Sequence, residues 1–500
     1  MRAPFGWLCI ALCVCAALVS PCSAATVVRV GSKVFTESVI LGELATQLGR
    51  EAGVDTIHKS QLGGTRVLWE ALLSGQIDAY PEYTGTIARE LLPGTPQAED
   101  ALRAALAKRG IGMTESLGFN DTYALGMTES LANQLHISTI DDLRRHPNLR
   151  MGFSNEFVDR EDCWPAVKAA YHLPQTNVTG LDHDLAYRAI ASGSTDVIDL
   201  YSTDAEIAFY HLRVLDDDRR VFPEYQAVYL YRLDLNRRAP AFVKAINRVD
   251  GMIDVSSMIA MNDQTKLRKI PESQVASQFL LSHLQIRTDP RSMNVLGTLI
   301  LRTREHLLLV GISLAASILL SVPLGVMAFA WPKLGQVILA VVSIIYTIPS
   351  LALLVFMIPL FGIGTWPAIV ALFLYGLLPI VRNTHAGLLA IPPHLRESAV
   401  VLGLSPMARL LKIELPMAGP SILAGIKTAA VINVGTATIG ALIGAGGYGQ
   451  PILTGIRLAD TRLILLGAIP AAILALLVQG GFGLLERAIV PRGLRLKARS

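Results

Sequence analysis

Residues 382–416 read RNTHAGLLAIPPHLRESAVVLGLSPMARLLKIELP and form the one long amphipathic interruption of a hydrophobic C-terminal half. Apolar runs flank this stretch on both sides, so membrane segments there would present it to water. Hydrophobic residues make up 52% of the chain and the mean hydropathy is +0.45, both too high for an ordinary soluble protein. The chain before residue 300 has the pattern of a soluble domain. The sequence therefore predicts two domains, of which the second is an all-α polytopic membrane domain.

Five apolar runs are long enough for a helix to cross a bilayer. They cover residues 306–330, 336–361, 366–381, 418–444 and 463–485. Pro349 and Pro359 interrupt the second run, which predicts either a bent helix or two half-helices. We therefore expect a membrane domain at 306–488 with about five spans, joined to the first domain by a linker at 291–305.

Basic residues concentrate in the 382–416 loop and in a tail at 489–500. The positive-inside rule places both in the cytoplasm and the first domain outside. Arg457 and Arg462 on the last outer loop are the weak point of this assignment. The expected location is the bacterial inner (plasma) membrane, multi-pass, with the N-terminal domain on the periplasmic or extracellular side.

Residues 1–25 have the layout of a signal peptide, because Arg2 precedes an apolar run and small residues follow. An uncleaved anchor is the alternative. The same segment holds all cysteines but Cys163, so the mature chain can form no internal disulfide.

Strand-like and helix-like stretches alternate over residues 26–290. The segments VVRV (27–30), RMGFS (150–154), DVIDLYST (196–203) and AVYLY (227–231) are predicted strands. This alternation predicts a bilobed, mostly parallel α/β domain resembling periplasmic binding proteins. Ligands of such domains bind between the lobes, at the carboxyl ends of the strands.

Within the 382–416 loop, an acidic residue and two small ones precede a glycine and a terminal Leu-Pro pair. This pattern resembles the coupling loop of permease subunits in ABC importers, as do YTIPSLALLVFMIPLFGIG (346–364) and NVGTATIGALIGAGGYG (433–449). The resemblance implies contact with a separate ABC ATPase subunit, which binds the ATP, and a homodimer of the permease domain. The implied coupling residues are Glu397, Ser398, Ala399, Gly403, Leu415 and Pro416, with Ser398 standing where alanine is frequent. No cofactor is expected in this chain, because the GxGxxG at Gly444 follows a membrane helix and not a strand.

The first domain contains GSKVFTESVILGEL (31–44), LGGTRVLWEALLSGQIDAYPEYTGT (62–86), NDTYAL (120–125) and FPEYQAV (222–228). These segments resemble the receptors of osmoprotectant uptake systems, which bind glycine betaine, choline, carnitine and related quaternary amines. A quaternary ammonium has no N–H to donate, so an aromatic cage must hold it. The resemblance implies an importer with receptor and permease fused, and a substrate site at Tyr83, Thr86, Tyr123 and Tyr201, with Tyr225 as a weaker candidate.

Arg66 follows the glycine turn in LGGTR at a position resembling one that varies with ligand preference in this family. A guanidinium there could bind the carboxylate of betaine or carnitine and would repel choline. The alternative is a solvated or salt-bridging arginine, with Glu37, Asp78 and Glu82 as candidate partners. Lys33 has the same two interpretations.

Other classes of function find less support. The net charge of +4 gives no reason to invoke nucleic acid. Asp182, His183 and Asp184 are expected to serve as helix caps, not as metal ligands, and no catalytic constellation is recognisable. The rival interpretations are an importer of another betaine or amino-acid derivative and, in a different class, a ligand-gated channel or sensor.

Overall fold

The computed structural model describes residues 27–289 and 295–489. The predicted signal peptide and nearly all of the basic tail lie outside these ranges. The described chain forms a two-lobed α/β domain followed by a helical domain, as the sequence predicts.

Ten strands build two five-stranded sheets, one in each lobe. They are β1 (Val28–Gly31), β2 (Thr56–Lys59), β3 (Ala79–Tyr83), β4 (Ile111–Met113), β5 (Tyr123–Thr128), β6 (Met151–Ser154), β7 (Val178–Leu181), β8 (Val197–Tyr201), β9 (Leu212–Leu215) and β10 (Ala227–Arg232). The first lobe has the order β2-β1-β3-β10-β4, and the second has the order β7-β6-β8-β5-β9. In each sheet one strand, β10 or β5, runs antiparallel to both neighbours while the other four are parallel.

The helices of this domain cover the faces of both sheets. They are α1 (Thr36–Glu51), α2 (Thr65–Leu73), α3 (Thr84–Thr86), α4 (Glu99–Ala107), α5 (Glu129–Leu135), α6 (Asn155–Asp159), α7 (Trp164–Tyr171), α8 (His183–Ala191), α9 (Glu206–Phe209), α10 (Leu235–Arg238), α11 (Pro240–Ile246), α12 (Val255–Lys266) and α13 (Glu272–Leu284). A π-helical turn at Ile87–Leu91 extends α3. Helix α1 is buried along most of its length. Its close packing against α11 depends on Gly49, because a Cβ at that position would meet the Phe242 ring at 2.8 Å.

The chain crosses between the lobes twice, between β4 and β5 and again between β9 and β10. The two crossing segments lie side by side, where Asn120 pairs with Gln226. Strands β5 and β10 each follow a crossing, and each enters its sheet in the reversed direction. Two crossing segments that lie side by side form a hinge about which the lobes can close.

The second domain contains nine α-helices within residues 295–489. They are α14 (Val295–Ala330), α15 (Pro332–Thr347), α16 (Ser350–Phe361), α17 (Thr365–Leu389), α18 (Pro393–Val401), α19 (Pro406–Arg409), α20 (Leu415–Thr436), α21 (Gly449–Arg457) and α22 (Thr461–Ile489). Four continuous segments, containing α14, α17, α20 and α22, are long and apolar enough to cross a membrane. Helices α15 and α16 meet at an angle of 98° next to Pro349 and form a fifth, broken candidate. The structure thus agrees with five spans of which the second is bent.

Three boundaries differ from the prediction. Most of the predicted linker is helical, because α14 already begins at Val295. Residues 382–389 are the end of α17 and not loop, since Thr384 is buried against Gly325 of α14. The fourth span ends at Thr436, and a separate 3-10 turn follows at Ile439–Ile443, which ends at Gly444 in a left-handed conformation at φ +75°.

Candidate functional site

A cleft of about 1400 Å³ lies between the two lobes, at the carboxyl ends of the strands. The first lobe contributes the segment after β1 and the start of α2, and the second contributes α6, the start of α8 and the end of β8. Prominent lining side chains are Phe35, Thr65, Arg66, Glu90, Glu156, Arg160, His183 and Tyr201. The position of the cleft confirms the prediction from the strand pattern.

Aromatic rings from both lobes form one cluster beside this cleft. The Tyr201 ring lies 5.6 Å from Phe35 of the first lobe and 5.1 Å from Tyr123 of the second, measured between centroids. Tyr123 continues the cluster to Tyr225 at 5.5 Å, and Phe35 continues it to Tyr83 at 6.3 Å. The four tyrosines named from the sequence therefore belong to a single aromatic cluster that spans the two lobes.

Only part of the cluster faces the cleft. Phe35 and Tyr201 are half-buried and line it, whereas Tyr83, Tyr123 and Tyr225 are at most 5% exposed and lie behind them. Aromatic faces attract cations because the ring quadrupole is negative above the plane. In this conformation a cation in the cleft therefore reaches Phe35 and Tyr201 first.

Lys33 and Thr86 lie deeper than the cleft wall. Lys33 is 4% exposed, and its Nζ lies 2.5 Å from Glu82 Oε1 and 5.6 Å from the centre of the Tyr83 ring. Thr86 is 3% exposed at the end of the short helix α3. The Lys33 charge is therefore neutralised within the first lobe, as its salt-bridging interpretation expects.

Arg66 is a residue of the cleft, but its partner differs from the three candidates named from the sequence. Its side chain is 66% exposed, and its Nε donates to Glu90 Oε1 at 3.0 Å. The difference arises because α2 begins at Thr65, which aims Arg66 across the cleft entrance at the π-helical turn after α3. Exposed ion pairs contribute little free energy, so this guanidinium is available to a ligand.

Several cleft residues are not among the site residues predicted from the sequence, and Phe35, Arg160 and His183 are three of them. Arg160 is 9% exposed, is paired with Asp162 at 2.7 Å, and lies 5.6 Å from the Tyr123 ring centre. No sequence signal distinguishes it from the other arginines of the chain.

The sequence predicts a helix-capping role for the stretch that contains His183. Its ring lies 4.3 Å from that of Tyr201, and its Nε2 lies 3.0 Å from Asp204 Oδ2. Burial lowers the pKa of His183, but the nearby carboxylates of Asp204 and Asp199 outweigh burial and raise this pKa well above its usual value. Asp182 caps α8, as expected, by accepting from the Asp184 N–H. Within the described residues no group of three or more His, Cys, Asp or Glu side chains is arranged for a metal ion.

Carboxylates outnumber guanidiniums in the cleft. Six acidic residues line it against three arginines. The acidic residues are Glu90, Glu156, Asp159, Glu161, Asp162 and Asp182. This excess of negative charge favours a cationic or zwitterionic ligand over an anionic one.

Behind the cleft, a buried acidic cluster joins the lobes. The Thr203 hydroxyl lies 2.5 Å from Glu37 Oε2 and 2.8 Å from Asp121 Oδ1. A hydroxyl has one proton to donate, so one of the two contacts requires a protonated carboxyl group. Burial raises the pKa of Glu37 to about 7, although Thr203 and Tyr83 donate hydrogen bonds to it, and burial beside Glu37 raises the pKa of Asp121 well above its usual value.

The α/β domain rests on α21 of the helical domain. Arg457, which is 7% exposed, donates to Thr36 Oγ1 at 2.7 Å and forms an ion pair with Glu272. From the second lobe, Arg188 donates to the Ile456 carbonyl at 3.4 Å. Helix α21 therefore contacts both lobes, and Thr36 is the neighbour of the cleft residue Phe35.

Further contacts extend this interface to other parts of both domains. Gln61 lies 2.9 Å from Thr454 Oγ1, and the Ile363 N–H at the start of α17 donates to the side chain of Gln76. Ile363 is also buried within the apolar core of the first lobe. Gly444 packs close to the Leu62 side chain of the first lobe, which a Cβ would meet at 2.4 Å, and its left-handed φ of +75° favours glycine.

The predicted coupling residues lie at the other end of α17. Helix α18 carries Glu397 and Ser398 on its exposed face and Ala399 buried beneath. Gly403 follows with φ +73°, a left-handed conformation that favours glycine. Leu415 and Pro416 begin α20 and do not end the preceding helix, because proline is readily accepted in a first helical turn.

Comparison with known families agrees with this architecture. The family described as the substrate-binding domain of ABC-type glycine betaine transport systems matches residues 26–282, half of the chain. The chain belongs to this family. A second family, described as the inner-membrane component of binding-protein-dependent transport systems, matches residues 317–492 of the same receptor–permease fusion. The protein is therefore an ABC importer component in which binding domain and permease are one chain.

Individual relatives are similar to part of the fusion. The choline transport system permease protein OpuBB of Bacillus subtilis (strain 168) is 42% identical over 202 residues, 40% of this chain and 93% of that protein. The osmoprotectant import permease protein OsmW of Salmonella typhimurium (strain LT2) is 43% identical over 204 residues, 40% of this chain and 95% of that protein. A solved structure of a glycine betaine/carnitine/choline ABC transporter covers 51% of this chain and 98% of its own, with 27% identity and a TM-score of 0.45.

Proposed function

We propose that this fusion imports quaternary-ammonium osmoprotectants such as glycine betaine, choline or carnitine, driven by a separate ATPase subunit. The observation that carries the proposal is the aromatic cluster shared by both lobes, which presents Phe35 and Tyr201 to an acidic cleft. Aromatic faces and carboxylates together suit a cation that cannot donate a hydrogen bond. The similarity to OpuBB, a choline permease, and to OsmW, an osmoprotectant permease, supports the same cargo class.

The proposed transport step begins at the lobes. Cargo in the cleft favours the closed arrangement in which Phe35 of the first lobe contacts Tyr201 of the second. Helix α21, which contacts both lobes, is complementary to this arrangement, so a loaded receptor docks more firmly than an open one. Docking then delivers cargo to the permease of the same chain at high effective concentration.

The segment α18–α19 is the proposed contact of the ATPase subunit. Together with the π-helical turn Leu410–Glu414 that follows it, this segment exposes an apolar patch. The exposed side chains are Val400 (55%), Val401 (86%), Leu402 (77%), Met407 (63%) and Leu411 (57%). Glu414, which directly precedes α20, is 3% exposed and accepts a hydrogen bond from Arg409 at 3.1 Å. This bond holds α19 against the start of α20. A rigid, exposed apolar surface in a polar rim is typical of a protein-binding site.

Orientation and assembly follow from the same geometry. The receptor contacts the start of α17, and the ATPase segment follows its end, so the two surfaces lie on opposite sides of the membrane. The receptor is placed outside by the positive-inside rule, and Arg457, an exception to that rule, is explained by its ion pair with Glu272.

A groove of about 450 Å³ between α20 and α22 contains Lys427 and Glu486. Charged side chains are costly in lipid, which favours a second copy of the chain on this face.

The decisive experiment measures uptake and binding together. Calorimetry of the full chain in detergent against choline, glycine betaine and carnitine tests the cargo class, and no binding to any of them would reject it. Uptake into vesicles that contain the ATPase subunit is expected only with internal ATP. Uptake without ATP would identify a channel instead.

A further inference from the structure

One histidine of α14 connects the two ends of the segment that separates α20 from α21. His306 is fully buried, and its Nε2 lies 3.0 Å from the Val434 carbonyl oxygen in the last turn of α20. Its Nδ1 lies 3.4 Å from the backbone nitrogen of Tyr448, the residue before α21. A neutral imidazole with its proton on Nε2 satisfies both partners, since it donates to the carbonyl and accepts from the N–H.

Both backbone groups are ones that a helix end leaves free. The Thr438 N–H, which would donate to Val434 if α20 continued, donates to the Gly435 carbonyl instead. The Tyr448 N–H precedes the first turn of α21 and can have no acceptor within that helix. Because an unpaired backbone group is costly to bury, His306 stabilises this arrangement of the two helices over others.

Neighbouring residues of α14 hold the same segment. Glu305 Oε2 accepts from the Gly447 N–H at 2.8 Å, and the Tyr448 hydroxyl lies 2.8 Å from Thr303 Oγ1. The rings of His306 and Tyr448 are 4.6 Å apart between centroids. The close fit depends on Gly447, because a Cβ there would meet His306 Nδ1 at 3.0 Å. Thr303, Glu305 and His306, the α14 clamp, thus fasten the end of α20 and the start of α21 to one helix.

The α14 clamp lies between the two surfaces that contact other parts of the importer. Helix α20 begins at Leu415, directly after the π-helical turn that follows α19. Helix α21 carries Arg457, which pairs with Glu272 of the receptor. The chain therefore leads from the proposed ATPase contact through α20 and the clamped segment to the receptor contact. A displacement of α21 reaches α20 undiminished only if the segment between them is rigid.

We propose that His306 is a positioning residue for transport, which transmits docking of the loaded receptor on α21 to α20 and so to the ATPase subunit. This inference rests on the proposed function, because it assumes ATP-driven import and docking at α21. Without the imidazole the receptor still docks, but residues 437–448 can yield to the displacement. His306 does not line the cleft and takes no part in the Arg457 ion pair. Its loss should therefore separate docking from the stimulation of ATP hydrolysis.

The test measures ATP hydrolysis by the full chain and its ATPase subunit in lipid nanodiscs, with and without a mixture of choline, glycine betaine and carnitine. Each lost hydrogen bond weakens the clamp about fivefold, and the two together about 30-fold. In H306L the increase in hydrolysis caused by the cargo mixture should fall at least about tenfold, whereas hydrolysis without cargo stays unchanged. H306Q places an amide nitrogen where Nε2 lies, so it can donate to Val434 and should recover part of the increase.

A second measurement reports docking directly. A short bis-maleimide cross-link between Q61C and T454C, whose native side chains lie 2.9 Å apart, should form in H306L as it does in the wild type. In R457M/H306L the stimulation should be no lower than in R457M, because both changes interrupt the same route.

Two further variants of α14 complete the comparison. The matched control is R304Q, on the exposed face of the same turn of α14, which should keep the stimulation within about twofold. T303V removes the partner of the Tyr448 hydroxyl and should lower the stimulation about fivefold.

Normal stimulation in H306L would overturn the proposal. An equal fall of hydrolysis with and without cargo, or loss of the cross-link, would also overturn it, since His306 would then only support the fold. If H306L does not fold, H306Q and T303V decide by the same criteria. A wild-type chain whose ATP hydrolysis does not respond to the cargo mixture rejects the proposed function and is distinct from these results.

Discussion

Replacing Arg457 by methionine is expected to uncouple the receptor from its permease while the cleft still binds cargo. The side chain of Arg457 is 6% exposed and that of Glu272 is 13% exposed, so their ion pair is largely withdrawn from water. Removing one partner of a buried pair costs about 3–5 kcal/mol, because the other charge remains unpaired. Since Glu272 keeps some contact with water, we take about 3 kcal/mol, which lowers the docking equilibrium about 150-fold.

The assay compares uptake with binding in the same preparation. R457M should lower ATP-driven uptake of labelled cargo by more than about tenfold, because a tether supplies only a millimolar effective concentration to a weakened interface. The dissociation constant of the cargo should rise far less than uptake falls, because Arg457 does not line the cleft and R457M removes only the extra affinity that docking gives to the cargo.

Two further variants make the result interpretable. Arg462 lies five residues later, is exposed, and should tolerate R462M without loss of uptake. In the R457M background, E272Q removes the unpaired carboxylate and should restore part of the uptake. Wild-type uptake in R457M, or an equal loss of binding and uptake, would contradict the assignment of Arg457 to docking.

Three other predictions concern the buried acidic cluster of Glu37, Asp121 and Thr203, the cleft, and the contact with the ATPase subunit. Folding raises the pKa of Glu37 from 4.5 to about 7, so the protonated carboxyl group contributes its full share of stability below pH 4.5 and loses it as the pH rises to about 7, a change of about 3 kcal/mol in the free energy of unfolding. Thermal unfolding of E37Q should lack this dependence of stability on pH. An equal dependence in the wild type and in E37Q would argue against the raised pKa. Tyr201→Ala should weaken choline binding by more than about 1 kcal/mol, measured by calorimetry, whereas Tyr201→Phe keeps most of the affinity; equal losses would point to the hydroxyl and not the ring. Val401→Asp should abolish stimulation of the ATPase subunit and uptake without changing cargo affinity, because it places a charge in the exposed apolar patch of α18; normal uptake would place the ATPase contact elsewhere.

The features that the sequence predicted correctly depend on short-range physics. The length of an apolar run decides whether a helix can cross a bilayer, and Pro349 marks the break between α15 and α16. Strand segments such as β6 and β8 were recognisable from their apolar residues. The left-handed Gly403 agrees with the glycine of the coupling pattern. The grouping of Tyr83, Tyr123, Tyr201 and Tyr225 came from family resemblance, not from their spacing.

Only the tertiary structure could decide which distant residues meet. Arg457 contacts Thr36 across 421 positions of sequence, and Thr203 joins Glu37 across 166. No local sequence pattern predicts either pair. The contact of Arg457 with Thr36 depends on how the receptor rests on α21, and the contact of Thr203 with Glu37 depends on how the lobes close. The same holds for Glu156, which contacts the N-terminus of α2 from the other lobe across 91 positions of sequence. The sequence by itself thus determined the order of the domains, the bilayer-crossing segments and the cargo class that the family implies. Packing between lobes and between domains decided which charged groups are buried and which groups pair with them.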